Sequence, residues 1–162
     1  MKVDKMLSTH PNNLKEENHN MDRTKNLLII SCSARKTNLN EGCAIDIYNG
    51  PFFKILKKCH HGNLDVKIIS AKYGLINAND KISTYEMKMT AQRANELRTQ
   101  TTEKLENALT HGNYKEVFVE LGKTYQSAIE INPERFPRTD FKFDSGPIGT
   151  RLHNFKNWIQ KS

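Results

Sequence analysis

Cys32 stands close to two cations in the segment SCSARK, where Arg35 and Lys36 follow it directly after Ser33 and Ala34. Nearby positive charge favours the thiolate, which is the nucleophilic form of cysteine. Such a thiolate could add to an electrophilic carbon, with Lys36 assisting through its charge or by transferring a proton. Because cysteine is also among the most buried residue types, an inert Cys32 packed beneath a sheet is the competing interpretation.

Further polar groups occur in the segments SAKYGL, ELGKTY and SGPIGT. In the first, Lys72 could pair with an anion and Tyr73 could stack on a base, although an ordinary turn after a strand explains the same residues. In the second, Glu120 could accept hydrogen bonds from the edge of guanine or act as a base, unless it pairs with a nearby lysine. The glycines of the third could bring backbone N–H groups to a phosphate or simply start a helix.

These segments together supply the candidate site. Small residues let the backbone approach a ligand, whereas cations and hydroxyls suit a phosphate or a ribose. The pattern predicts a nucleotide or nucleobase ligand, and it includes no metal site and no cofactor. The candidate catalytic residues are Cys32, Lys36 and Glu120, and the candidate ligand-binding residues are Ser31, Ser33, Arg35, Ser70, Lys72, Tyr73, Gly74, Gly122, Tyr125, Gly146 and Gly149.

Three short apolar runs, at 26–31, 66–70 and 116–121, are rich in Ile, Val, Leu or Phe and end in small or polar residues. Such runs are typical of parallel strands that are buried on both faces. Helical patterns alternate with them. The helices are predicted to begin at Pro51 and to cover 90–110 with Thr90 as N-cap, 124–131 and 150–160, and a further edge strand is predicted at 139–144.

This alternation predicts an α/β domain with a mostly parallel sheet of about four strands and right-handed crossovers. In open parallel sheets, ligands bind beyond the carboxyl ends of the strands. The segments that carry the candidate residues follow the three apolar runs or introduce the last helix. We therefore expect them to converge on one crevice at that edge of the sheet.

Composition bounds the class of protein. The 162 residues suit a single domain, which we place at 26–162 after a polar, disordered N-terminal arm at 1–25. The net charge of +7 suits an anionic partner such as a nucleotide, tRNA or DNA, although a solvated lysine-rich surface gives the same charge. Three cysteines without a CxxC pair, and no membrane or export pattern, predict a reduced cytoplasmic protein without a disulfide framework or structural zinc. The oligomeric state stays open.

Several segments resemble a family of small bacterial and phage proteins, many of which are labelled YaaA-like peroxide-stress proteins. The resemblance rests on ISCSARK, IYNGPFF, IISAKYGLI, the pair Tyr85-Glu86 and the closing GPIGTRLHNFKNWI, and it extends over residues 26–160. It implies a Rossmann-like α/β domain and a stress-response setting.

A more distant resemblance is to the catalytic domain of archaeosine synthase, which carries a Pro-Cys, three residues and then Lys-Pro-Tyr. Cys32 and Lys36 match the Cys-x-x-x-Lys part, whereas Ser31 replaces the first proline and Thr37-Asn38 replaces the Pro-Tyr. This resemblance implies chemistry on a 7-deazaguanine-type base that carries a nitrile.

Three hypotheses of function follow. The first is an enzyme that processes a nucleobase or nucleotide, with Cys32 as the nucleophile. The second is a nucleotide- or nucleic-acid-binding stress-response protein in which the same loops hold a phosphate and a base without covalent chemistry. The third is an N-glycosidase, in which Glu120 would act on the sugar and Cys32 would be incidental.

Overall fold

The computed structural model describes residues 25–59 and 62–162 of the chain. The predicted disordered arm at 1–25 therefore lies outside the described residues, apart from Lys25. The strands are β1 (Asn26–Ser31), β2 (Glu41–Cys43), β3 (Leu64–Ser70), β4 (Gly74–Asn77), β5 (Lys81–Ser83), β6 (Glu116–Glu120) and β7 (Asp140–Phe143). The α-helices are α1 (Ala44–Ile47), α2 (Pro51–Cys59), α3 (Ala91–Gly112) and α4 (Ile148–Lys161), and 3₁₀ segments cover Lys123–Ala128 and Pro133–Arg135.

The central sheet has five strands in the order β4-β3-β1-β6-β7. Strands β3, β1, β6 and β7 are parallel, and β4 pairs antiparallel with β3. The three predicted parallel strands and the predicted edge strand are confirmed, so the protein is an α/β protein with a mostly parallel sheet. The predicted number of about four strands is wrong because β4 was missed.

Strand β4 was missed because its sequence, Gly-Leu-Ile-Asn, is too short to show an alternating pattern. It forms because the chain reverses sharply after β3 and pairs Ser70 with Gly74. Gly74 has φ of +74°, which lies in the left-handed region that favours glycine. The turn that was predicted to hold a ligand is therefore also the turn of a hairpin.

Both faces of the sheet are covered, as the apolar runs require. Leu28 and Ile30 of β1 point to the face that packs against α2 and α4, where Phe53 and Phe155 are buried. The alternate residues Leu27 and Ile29 point to the face that packs against α3. A strand buried on both faces needs apolar side chains at successive positions, which is the pattern of Leu27–Ile30.

Helices α2 and α3 begin where their sequences predict, whereas the short helix α1 was not predicted. Pro51 opens α2, and Thr90 caps α3 by accepting a hydrogen bond from the backbone nitrogen of Arg93 at 3.1 Å. Helix α3 ends at Gly112, and Asn113 follows with a left-handed backbone. The segment predicted as a helix at 124–131 is instead the 3₁₀ segment Lys123–Ala128, a common form for short connections.

A small antiparallel pair of strands, β2 and β5, lies outside the central sheet and was not predicted. No helix within 25–59 or 62–162 is long and apolar enough to cross a membrane.

Candidate functional site

The carboxyl ends of β1, β3 and β6 lie side by side, because Ser31 pairs with Ile69 and Ile30 pairs with Glu120. The segments that follow these strands therefore meet at one edge of the sheet, as the sequence predicts. Ser31 helps to join two of them, since its Oγ accepts a hydrogen bond from the backbone nitrogen of Gly122 at 3.1 Å. The backbone of Gly122 thus helps to hold the end of β6 beside the end of β1.

Cys32 is half-buried at this edge, and its backbone nitrogen donates to the carbonyl of Ile69 at 3.0 Å. Its Sγ lies 3.0 Å from the hydroxyl of Tyr125, in the 3₁₀ segment after β6. Burial, followed by the charge of a Cys32 thiolate, raises the pKa of Tyr125 above its ordinary range. The phenol is therefore protonated at neutral pH and can donate a hydrogen bond to the sulfur.

A chain of buried hydroxyls begins at Ser70, at the end of β3. Ser70 Oγ is 2.8 Å from the hydroxyl of Tyr85, which is 2.8 Å from the hydroxyl of Tyr48. Burial is the main cause that raises the pKa of Tyr48 to about 12, and a charge on Cys32 adds to it. Burial and then Cys32 also raise the pKa of Tyr85. The sulfur therefore lies among phenols that stay protonated.

Tyr48 and Tyr85 were not among the candidate site residues. Tyr48 sits in an apolar helical pattern, which reads as core, and it is indeed fully buried. Tyr85 is part of the Tyr85-Glu86 pair on which the family resemblance rests in part. No rule of residue spacing marks it as a site residue. Only the folded structure shows that their hydroxyls converge.

Two lysines flank the ring of Tyr85. The Nζ of Lys36 lies 4.6 Å from the ring centroid, and the Nζ of Lys72 lies 5.9 Å from it. Lys72 is also 5.2 Å from the ring centroid of Tyr73. Cations over aromatic faces are attracted by the ring quadrupole. The predicted cations Lys36 and Lys72 are therefore both placed beside Tyr85, although Lys72, like Arg35, is exposed.

Ser33 holds the loop after β1 in place. Its Oγ donates to the carbonyl of Arg35 at 2.6 Å and accepts from the backbone nitrogens of Asn49 and Gly50 at 3.3 and 3.1 Å. A Cβ on residue 50 would lie 2.7 Å from the Cβ of Ser33, so only glycine fits there without displacing the loop. Its contacts give Ser33 a structural role in positioning Cys32.

The loop after β3 is fixed by hydrogen bonds within the loop and by hydrogen bonds from a side chain of α3. Ser70 Oγ accepts from the backbone nitrogens of Lys72 and Tyr73 at 3.2 and 3.0 Å. Arg93 donates to the carbonyls of Ala71 and Lys72 at 2.7 and 2.9 Å. Arg93 was not a candidate residue, since nothing in a helical pattern shows that its side chain turns back to a distant loop.

Glu120 faces Arg151 and is only 1% exposed. The Nε of Arg151 donates to Glu120 Oε1 at 2.9 Å, and a second guanidinium nitrogen bonds the same oxygen. Glu120 Oε2 has no hydrogen-bond partner among the described residues. Burial raises the pKa of Glu120, Arg151 opposes the shift, and Asp144 adds to it. The ion pair considered for Glu120 thus exists, with Arg151 and not a lysine as the partner.

The glycine-rich turn lies at the entry to α4. Gly146 has φ of +107°, and both Gly146 and Gly149 are exposed. Arg151, one half-turn further on, ties this entry to the end of β6 through Glu120 and stacks at 5.4 Å over the ring of Phe52. The turn is therefore held close to Glu120 at the end of β6.

Two cavities lie near this edge of the sheet, and neither is lined by Cys32, Tyr125 or Tyr85. One of about 360 Å³ lies between the ends of β6 and β7, and it is bordered by Gln126, Phe143 and Asp144 together with aliphatic side chains. The other, of about 340 Å³, lies beside Lys36 and Met87. Both are at the lower end of the volumes of small-molecule sites. In the part of the chain that the structure describes, no three His, Cys, Asp or Glu side chains are grouped to hold a metal ion.

The fold and this edge define an α/β protein with a half-buried thiol, protonated phenols and lysines at the ends of its parallel strands. A sequence profile matches residues 27–157, and by this match the chain belongs to the family of unknown function DUF6884. No curated protein matches the chain. A similar solved structure is that of AF0587, a protein of unknown function, with 13% identity and a TM-score of 0.46 over 85% of this chain. The chain spans 45% of the length of AF0587.

Proposed function

We propose that the protein is an enzyme that processes a nucleobase or nucleotide, with Cys32 as the nucleophile. The observation that carries the proposal is the 3.0 Å contact between Cys32 Sγ and the Tyr125 hydroxyl at the ends of the parallel strands. Cys32 also packs against the apolar core, but a thiol that merely filled the core would not need a phenol at hydrogen-bonding distance from its sulfur. The helices on both faces of the sheet support a Rossmann-like, three-layer domain, in which this edge is the usual ligand site.

The proposed substrate class is a 7-deazaguanine-type base that carries a nitrile. The thiol first loses its proton to water, and the sulfur then forms a bond to the nitrile carbon while one π bond between carbon and nitrogen breaks. The nitrogen takes a proton from the Lys36 ammonium, which water restores, so that S–H has added across the nitrile. Tyr125 donates a hydrogen bond to the sulfur before the attack and so holds it in place.

The environment of Glu120 weighs against the N-glycosidase hypothesis. A carboxylate that acts on a sugar must reach it, but Glu120 is buried and bonded to Arg151. Binding without covalent chemistry is the alternative that the same crevice allows. Lys36, Lys72 and the tyrosine hydroxyls would then hold a phosphate and a base, and Cys32 would be unreactive.

Intact-protein mass spectrometry tests the proposal. The protein is incubated with a 7-deazaguanine that carries a nitrile, and the matched variants are Cys32→Ser and Cys59→Ser. We expect a mass increase equal to the base in the parent and in Cys59→Ser, and none in Cys32→Ser. An adduct that persists in Cys32→Ser, or the absence of any adduct in the parent, would contradict the proposed mechanism.

A further inference from the structure

Charge is distributed unequally between the two faces of the sheet. Helices α2 and α4, which cover one face, contain Lys54, Lys57, Lys58, Arg151, Lys156 and Lys161 and no Asp or Glu. Helix α3, which covers the other face, contains Arg93, Arg98 and Lys104, balanced by Glu96, Glu103 and Glu106. Most of the net charge of +7 is therefore concentrated on one face.

The lysines on this face are also unpaired. Lys54, Lys58, Lys156 and Lys161 are exposed, and none of them forms an ion pair with any residue that the structure describes. Lys57 differs, since its Nζ donates to the carbonyl of Tyr48 at 2.8 Å. On α3, by contrast, Arg93 and Arg98 pair with glutamates. Apart from Arg151, which pairs with Glu120, the charge on α2 and α4 is therefore not neutralised by an ion pair within the described part of the chain.

The two helices contact each other, and both begin at the edge of the sheet where Cys32 lies. The rings of Phe52 and Phe155 meet edge to face with centroids 5.2 Å apart, which joins α2 to α4. The first turn of α2 adjoins the Cys32 loop, because the backbone nitrogen of Gly50 donates to Ser33 Oγ. The first turn of α4 adjoins the end of β6 through Arg151 and Glu120.

We propose that this surface, the α2–α4 face defined by Lys54, Lys58, Lys156 and Lys161, binds the phosphate backbone of a nucleic-acid double helix. Cations and amide donors contact phosphates, and Asn157 and Gln160 are exposed among the lysines. Single strands are bound by stacking bases on exposed aromatic rings. The rings of Phe53, Phe155 and Trp158 are buried beneath this face, and the half-buried ring of Phe52 lies under the Arg151 guanidinium at 5.4 Å, so the face is suited to a backbone and not to unstacked bases.

The inference deepens the proposed function and rests on it in one respect, which is the reason for the binding: a duplex on this face would bring a base to Cys32. The binding itself requires only the lysines. The two proposals can therefore fail separately: Cys32→Ser should bind the duplex as the parent does, even though it forms no adduct with the base.

Fluorescence anisotropy with a labelled DNA duplex of about 20 base pairs, between about 50 and 200 mM salt, tests the inference. The variant carries Lys54→Gln, Lys58→Gln, Lys156→Gln and Lys161→Gln. The matched control loses the same charge from exposed lysines elsewhere, through Lys81→Gln, Lys104→Gln, Lys115→Gln and Lys123→Gln. Circular dichroism melting confirms that both variants are folded.

We expect the α2–α4 variant to bind the duplex at least about tenfold more weakly than the parent. The slope of log K against log salt should become shallower by about three to four, because each of the four lost phosphate contacts contributes about 0.9. The control should change affinity less than about threefold. Equal weakening in both variants, or unchanged binding in the α2–α4 variant, would overturn the assignment of the surface. Tighter binding of a single strand of the same length, or binding of anionic vesicles but not of the duplex, would overturn the choice of partner.

Discussion

At the scale of single residues, Cys32 differs from the other two cysteines in its neighbours and not in its exposure. Cys32, Cys43 and Cys59 are all free and all half-buried. Only Cys32 has a phenol hydroxyl recorded at hydrogen-bonding distance from its sulfur within the described residues. The other two cysteines therefore serve as internal controls for any difference in reactivity.

The Tyr125 hydroxyl should assist the reactivity of Cys32. We expect Tyr125→Phe to slow alkylation of Cys32 at pH 7 several-fold, because the thiolate loses a hydrogen-bond donor while the ring is retained. Alkylation is followed by peptide mass spectrometry with iodoacetamide. Cys43 and Cys59 should react at the parental rate, and an unchanged rate at Cys32 would show that the contact has no part in its chemistry.

The burial of Glu120 should make the unfolding free energy depend on pH. Its pKa is raised in the folded state, so the folded protein binds a proton there more tightly than the unfolded chain does. The stabilisation of the folded protein by this proton is fully present below the ordinary pKa of 4.5, and it is lost as pH rises through the raised pKa. Arg151 and Asp144 are the charged groups that face this carboxyl.

We therefore expect the unfolding free energy of the parent, relative to Glu120→Gln, to rise as pH is lowered from neutral towards 4.5. Urea unfolding at a series of pH values measures this difference. Exposed Glu103→Gln is the matched control and should show no such trend. A difference that falls as pH is lowered would mean that the attraction of Arg151 outweighs the effect of burial.

At the scale of secondary-structure elements, the hairpin of β3 and β4 positions Lys72 and Tyr73. Its turn depends on the left-handed backbone of Gly74, where φ is +74°. A Cβ there would meet its nearest neighbour, Leu97 Cδ2, at 3.6 Å, which is ordinary contact. The cost of a substitution at this position is therefore one of backbone conformation and not of crowding.

Gly74→Ala should lower the unfolding free energy by about 1–2 kcal/mol, the cost of a left-handed backbone for a residue with a Cβ. Gly149→Ala is the matched control, since a Cβ in this turn of α4 meets nothing within 4 Å. There we expect no loss of stability, because alanine favours the helix. Denaturant unfolding measures both, and equal effects would contradict the role of Gly74 in the turn.

The elements differ in how well their sequences predict them. Strand β1 is a run of buried apolar residues, and α3 has a capping threonine and a left-handed stop, so local sequence suffices for both. Strands β2 and β5 have three residues each and pair Glu41 with Ser83, so no local pattern reveals them. Their pairing depends on contacts between residues that are distant in the chain.

The same limit applies to the candidate site. The strand-end rule places Cys32, Ser70 and Glu120 at one edge, because it depends only on strand direction. It cannot find Tyr48 or Arg151, whose side chains come from helices or from turns that adjoin them. Which hydroxyl or guanidinium meets the strand ends is decided by tertiary packing, so those partners appear only in the folded structure.

At the scale of the whole molecule, the strand-end edge that carries Cys32 adjoins the first turns of α2 and α4. The net charge of +7 suits an anionic partner but equally a solvated surface, and only the fold shows that α2 and α4 carry six of the cations and no Asp or Glu. A polyanion steered to that face would arrive beside Cys32. This arrangement joins the two proposals into a single account, in which the thiol acts on a base that a duplex carries.

The most direct test of the central claim measures the alkylation rates of all three cysteines at pH 7 together with the stability of Cys32→Ser. The account predicts that Cys32 reacts fastest, although all three are half-buried, and that Cys32→Ser unfolds within about 0.5 kcal/mol of the parent, because the site is polar. A slow Cys32 with unchanged stability in the variant would indicate a binding site without covalent chemistry. A slow Cys32 with a loss of about 1–3 kcal/mol would indicate a core thiol. Either of these results would contradict the assignment of Cys32 as the nucleophile.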